Sequence, residues 1–196
     1  MTLDNFQTLM TTSHFRFYSD STFYDPLEGN RARLLNEEFE TLDSKDLKVV
    51  QSDFFFCHCW FISDHSRTDM LSDNRSNPKQ VVIQTSFQSL FDSIENDEVF
   101  AGKVSYRNTE DFDHQLLSNF SKRFVKDHRF DTEDEFRLLI VRENRAMGDP
   151  VYLEVRLNLP TLIQKIHLRK DDSDSLDRVK LLLQGYGIEA EIKTTL

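Results

Sequence analysis

The sequence has no long apolar run. Its densest one, Phe54–Ile62, is nine residues, where a membrane-crossing helix needs about 20. Positive charge is scarce as well: 24 Lys and Arg stand against 34 Asp and Glu, a net charge of −10. A general nucleic-acid binder needs a basic surface for phosphate contacts, so this balance argues against one. It argues equally against adsorption to anionic membranes. Only two cysteines occur, Cys57 and Cys59. A disulfide between positions i and i+2 of one strand would be strained, so free thiols and a reducing compartment are expected. No basic region followed by an apolar stretch opens the chain, which makes the cytoplasm the expected location. There is no glycine-rich phosphate loop, no defensible Ser/His/Asp or Cys/His nucleophile set, and no internal repeat.

What is present is phenylalanine. A hydrophobic fraction of 38% is low and a charged fraction of 30% is high, but 17 Phe supply apolar area. At 196 residues the chain is long enough for one domain with a real core, and no composition break argues for two. Phe54–Ile62 reads Phe-Phe-Phe-Cys-His-Cys-Trp-Phe-Ile. Aromatic enrichment without helical spacing predicts a strand buried on both faces. Phe54, Phe56, His58, Trp60 and Ile62 fall on one face, and Phe55, Cys57, Cys59 and Phe61 on the other. Burying its large apolar side chains is worth about 10–15 kcal/mol before entropy, which makes it the expected centre of the sheet.

Around it, apolar spacing predicts helices over Leu3–Met10 (capped by Thr2), Arg31–Leu42, Phe87–Ile94, Glu110–Lys126 and Asp174–Leu183, with a helical turn at Leu159-Pro160. Strands are expected at His14–Tyr18, Gln80–Thr85, Val99–Tyr106, Phe136–Arg142, Val151–Leu157, Ile163–Leu168 and Ile188–Lys193. The pair flanking Gly148-Asp149-Pro150 is expected to form a hairpin. The mixture without strict alternation predicts an α+β fold, a single domain with a mostly antiparallel sheet and flanking helices. Ser63–Lys79 is polar and lacks a convincing element, the signature of a functional or mobile loop.

Several residues have side chains suited to chemistry. If the strand period already holds at Glu133, then Glu133, Glu135 and Arg137 share a face with Phe136 pointing away. Two carboxylates beside a guanidinium can stabilise a developing cation. The alternative is a solvated strand edge with compensating charges. Asp25-Pro26-Leu27-Glu28-Gly29 is a turn that displays two acids rigidly, or one that caps the following helix. Lys122, Arg123, Lys126 and Arg129 form a basic cluster that either offsets a helix dipole or holds a phosphate-bearing ligand. Cys57, His58 and Cys59 carry metal-capable atoms. Their spacing and the alternation of a strand argue for buried thiols instead, and no metal is expected.

In order along the chain, these pieces resemble the bacterial family known as domain of unknown function 2971: Phe15-Arg-Phe-Tyr-Ser19 with Phe23-Tyr-Asp-Pro-Leu-Glu-Gly29, Cys59-Trp60, Gln80–Leu90, Gly102-Lys-Val-Ser-Tyr106, Lys122-Arg123 leading to Phe130 and Glu133-Asp-Glu-Phe-Arg137, and the tail from Leu162. The chain begins inside that family's first motif, and His65–Leu71 lacks its Glu and Trp. The resemblance implies an ADP-ribosyltransferase-like enzyme that uses NAD, of toxin or phage-defence type. Glu135 or Glu133 would stabilise the oxocarbenium-like ribose as nicotinamide leaves, and Arg137 would stand beside them. Asp25, Glu28, Trp60, Lys122 and Arg123 are then the candidate ligand-binding residues. The other reading it leaves open is a catalytically silent module that binds a nucleotide or a protein through the Ser63–Lys79 loop.

Overall fold

The computed structural model describes residues 1–19, 53–63, 80–95, 98–108, 119–143, 151–170 and 172–195. The turn holding Asp25 and Glu28, the helix expected over 31–42, most of the polar loop and the start of the helix expected at 110 lie outside them. The fold is α+β with mostly antiparallel sheet. Its contacts group into two compact units: Met1–Phe15 with Asp64–Asp97 and Val155–Leu196, and Arg16–Ser63 with Glu98–Glu154. Each unit is assembled from separated segments, so no linker in the sequence marks the division.

The first unit holds α1 (Leu3–Thr12), β3 (Val81–Gln84), α2 (Phe87–Asp92), α4 (Leu159–Leu162), β9 (Lys165–Arg169), α5 (Ser173–Gly185) and β10 (Glu191–Thr195). Thr2 caps α1 by accepting the Asn5 N–H, and the helix buries Leu3, Phe6, Leu9 and Met10. Spacing of three and four puts those four on one stripe. The strands order as β10-β9-β3, with β9 parallel to β10 and antiparallel to β3. Val81, Ile166 and Leu168 are fully enclosed, as is Val179 of α5. Gly187, at φ 64°, supplies the left-handed turn after α5, and the Ile188 N–H then closes on the Leu183 carbonyl. In α2 the apolar spacing overstates the buried face. Phe87 is 59% exposed rather than buried, and Leu90 is the helix's buried residue. Phe87 instead covers Phe91, with ring centroids 4.8 Å apart.

The second unit is organised by a five-stranded sheet in the order β4-β7-β2-β1-β8. The strands are β1 (His14–Ser19), β2 (Asp53–Phe61), β4 (Phe100–Lys103), β7 (Glu135–Glu143) and β8 (Tyr152–Arg156). Between β4 and β7 come β5 (Ser105–Arg107), the short helix α3 (Asn119–Lys122), β6 (Val125–Asp127) and a 3-10 helix, His128–Glu133. β5 and β6 pair in parallel. The aromatic strand β2 is indeed the middle strand, in antiparallel register with β7 from Asp53↔Glu143 to Phe61↔Glu135. Among its described side chains, burial fades toward the end of the strand, however. Phe55, Phe56 and Cys57 are enclosed, while Phe61 and Ile62 are 48% and 37% exposed.

Three further corrections follow from tertiary pairing. β7 and β8 do not form a hairpin, because β2 and β1 lie between them. β2 matches β7 along its whole length, and a long apolar partner outweighs a short connection. The strand expected over Val99–Tyr106 breaks at Val104, which is buried and donates its N–H to the Glu135 carbonyl. The helix expected to run to Lys126 ends at Lys122, and Lys126 belongs to β6. Among the described residues, no helix is long and apolar enough to cross a membrane.

Candidate functional site

The strand period does not reach back to Glu133. That residue ends the 3-10 helix, and Asp134, at φ 42°, reverses the chain before β7 begins at Glu135. From there alternation places Glu135, Arg137, Leu139 and Val141 on one face of β7. Cross-strand register sets Arg137 between Cys59 of β2 and Gly102 of β4. The same face carries Phe55, Cys57 and Leu139, a buried apolar cluster that Phe120, Phe124 and Val141 complete. Gly102 leaves room there for Phe124, whose ring would stand 3.1 Å from a Cβ at that position.

Two charged side chains are buried beside this apolar cluster. Glu135 is 3% exposed and Arg137 2%. The Arg137 Nε donates to Glu135 Oε1 at 2.5 Å, its Nη2 to Oε2 at 3.2 Å, and its Nη1 to the Arg123 carbonyl at 2.6 Å. Lys126 Nζ reaches Glu135 Oε2 at 3.2 Å and Glu133 Oε2 at 2.5 Å. The chain of contacts thus runs Arg137–Glu135–Lys126–Glu133, from a buried guanidinium to a carboxylate side chain that is 35% exposed. Burying ions is costly, and reciprocal pairing with full hydrogen bonding is what offsets it. A solvated strand edge is excluded, because β7 lies between β4 and β2.

The electrostatics agree with that geometry. Burial alone would lower the Lys126 ammonium, but the Glu133 hydrogen bond and the Glu135 charge outweigh it and hold the group above its ordinary value. Its stabilisation is therefore present below the ordinary lysine pKa and is lost only as the pH rises through the raised one. Tyr106 Oη accepts the Glu135 N–H at 2.8 Å. Its phenol is pushed up by burial and by the Glu135 and Glu133 charges, with the Glu135 backbone contact acting the other way.

Cys59, opposite Arg137, is exposed while Cys57 is buried, and both are free thiols. Exposed as the residue is, the surroundings of its sulfur are crowded. Burial, then the Glu135 charge and hydrogen bond, push the thiol well above its usual range. Since the thiolate is the reactive form, a disulfide reagent at neutral pH should label one thiol in the folded chain, at least about ten-fold more slowly than free cysteine. E135Q should speed the reaction. A native rate equal to that of free cysteine would contradict the contact with Glu135.

Other expected site residues are placed elsewhere. Trp60 pairs with Phe136 and so lies on the opposite face, where it stacks on His58 at 5.8 Å. The basic cluster disperses. Arg123 lies over the Phe55 ring at 4.7 Å, and Arg129 pairs with Asp127 at 3.1 Å. Lys122 ends α3. Asp25 and Glu28 lie outside the described residues. Sequence reading missed Lys126 as the link between the two acids, and also Tyr106. It missed a third group as well: Arg16, whose guanidinium lies 4.6 Å over the Tyr152 ring, with Tyr18 5.9 Å from that ring. Tyr18 pairs with Cys57, so these side chains stand on the same sheet face as Cys59 and Arg137. The alternation Arg16-Phe-Tyr18 was the signal available for them.

Compared with models of protein families, with curated proteins and with solved structures, the chain matches none.

Proposed function

We propose that the sheet face between Arg16 and Glu133 is the site of an NAD-using ADP-ribosyl transfer, with Glu133 as the carboxylate that meets the ribose. One observation carries this reading. Of two acids held by one lysine, Glu135 has both oxygens committed within the protein, while Glu133 is held at one oxygen and remains part-exposed. Such a carboxylate is fixed in place before any ligand arrives, which is the requirement for stabilising positive charge that exists only as a bond breaks. In the transfer, the bond from the ribose carbon to the nicotinamide nitrogen breaks and its electron pair leaves with nicotinamide. A hydroxyl or amine acceptor bonds to the same carbon and releases its proton. Glu133 stabilises the charge that develops on the ribose. Arg137, Glu135 and Lys126 position Glu133, and the exposed Tyr18 ring, beside the part-buried Tyr152 ring under Arg16, offers a stacking surface for a base.

A second reading has its own support. Glu135, the later acid of the motif, is fully engaged by Arg137 and Lys126, as it would be in a module that binds a nucleotide without chemistry. Isothermal calorimetry with NAD, followed by label transfer from NAD into a cell extract, separates the two. Binding by both wild type and E133Q, with label transfer by wild type alone, supports the transferase. Binding without transfer by either favours the silent module, and absence of binding rejects both.

A further inference from the structure

The three-stranded sheet of the first unit ends on β10, which among the described residues pairs only with β9. The Glu191 N–H donates to the Gln164 carbonyl, on the β9 side. Backbone groups alternate in direction along a strand, so the N–H and C=O of Ile192 and Thr194 point outward from the sheet. Beside this edge runs an open groove of about 690 Å³, lined by Lys180, Leu183 and Gln184 of α5 and by Ile188 and Ile192. An edge of this kind is a template for another strand.

Its charge pattern selects the occupant. Glu191 and Lys193 flank Ile192 with side chains 53% and 45% exposed, and within the chain Glu191 already reaches Lys165 at 2.8 Å and Lys193 at 3.6 Å, surface pairs that a facing strand can share. Suppose two β10 strands meet antiparallel about a two-fold axis through Ile192. The outward groups of each Ile192 then exchange two hydrogen bonds, and Glu191 of each copy falls opposite Lys193 of the other. Those flanking positions are the non-hydrogen-bonded pairs, where facing side chains approach most closely. Charges on an edge strand usually repel a second copy, but here the alternation of sign makes self-pairing attractive at both positions. The groove next to Ile192 becomes covered in the same step. From this self-complementarity we infer that the chain associates with a second copy of itself through β10, forming one continuous sheet across an isologous interface. An edge of five residues makes a small interface, so the association belongs to the weak, concentration-dependent class.

Analytical ultracentrifugation of the full chain over a concentration series tests this, with E191K and K193E as variants. Both substitutions are on exposed side chains, and matching far-UV spectra and melting curves establish that the variants fold. Wild type should show a monomer–dimer equilibrium, and each variant alone should associate about ten-fold more weakly or less, since it sets like charges opposite. An equimolar mixture of the two variants restores opposite charges at both positions and should recover wild-type association as a heterodimer. Amide exchange at Ile192 and Thr194 should slow as protein concentration rises. A wild type that stays monomeric at every concentration would overturn the inference and leave the edge to a strand from another protein. A dimer that K193E does not weaken, or variants that fail to restore one another, would overturn it as well.

Discussion

Replacing Arg137 by methionine is expected to cost about 3–5 kcal/mol, the usual consequence of leaving a buried charge without its partner. Methionine fills much of the volume of arginine, so the loss is electrostatic rather than a cavity. Glu135 Oε1 loses its 2.5 Å donor, Oε2 loses Nη2 and retains Lys126, and the Arg123 carbonyl loses its Nη1 contact. For a chain of this length the melting temperature should fall by about 10 °C. Adding Glu135→Gln to R137M should recover part of the loss, because a neutral amide at that position no longer needs a cation. Urea unfolding of the two single variants and the double variant measures the coupling. A change below about 0.5 kcal/mol for R137M would mean that the pair is wetted and that the network holds nothing in place.

Acid should weaken the other face of the same sheet. His58 packs between the Phe17 ring at 5.5 Å and the Trp60 ring at 5.8 Å, in register with Leu138. Burial lowers its pKa from 6.5 to about 4, against an opposing hydrogen bond with the Cys59 backbone. The sign follows from proton counting. Between those two values the unfolded chain holds a proton on this ring that the folded chain does not, so stability falls as the pH drops through that window. The full effect is up to about 3 kcal/mol between pH 7 and pH 4. Carboxylates also contribute to acid unfolding, so the comparison to make is with His58→Phe, which should flatten the slope between pH 6.5 and 4. Parallel stability–pH curves for the two proteins would show that His58 titrates normally.

How far the sequence revealed this arrangement differs from residue to residue. β2 was legible because a run of aromatic residues has few alternatives to a central strand. α1 and α5 were legible from stripes of apolar residues, and α1 also from its cap, Thr2; the cap of α5, Asp172, emerged only in the structure. The grouping of Glu133, Glu135 and Arg137 was anticipated by strand alternation, yet the contact that unites them is different. Glu133 reaches the others from a 3-10 helix, through Lys126. No local pattern could supply that link, since β6 is three residues long and its parallel partner β5 is distant in sequence. Burial was equally hidden. Charges are read as surface by default, and only the register with Cys59 and Gly102, under Phe124, encloses Arg137. Phe61 and Phe87 are the converse, apolar residues that remain exposed. The pairing of β1 with β2 rather than β7 with β8 depends on distant strands competing for partners, which spacing within one segment does not encode.

All functional assignments rest on one idea: a buried chain of alternating charges ends in a single accessible carboxylate, Glu133. The most direct measurement is the release of labelled nicotinamide from NAD by wild type and by E133Q, whose removed charge lies at the half-exposed end of the network. Wild type should release nicotinamide, and E133Q should do so about 10²–10³-fold more slowly while still unfolding cooperatively, its melting temperature lowered only by the loss of the Lys126 contact. Equal rates for the two proteins, or no release by a correctly folded wild type, would contradict it.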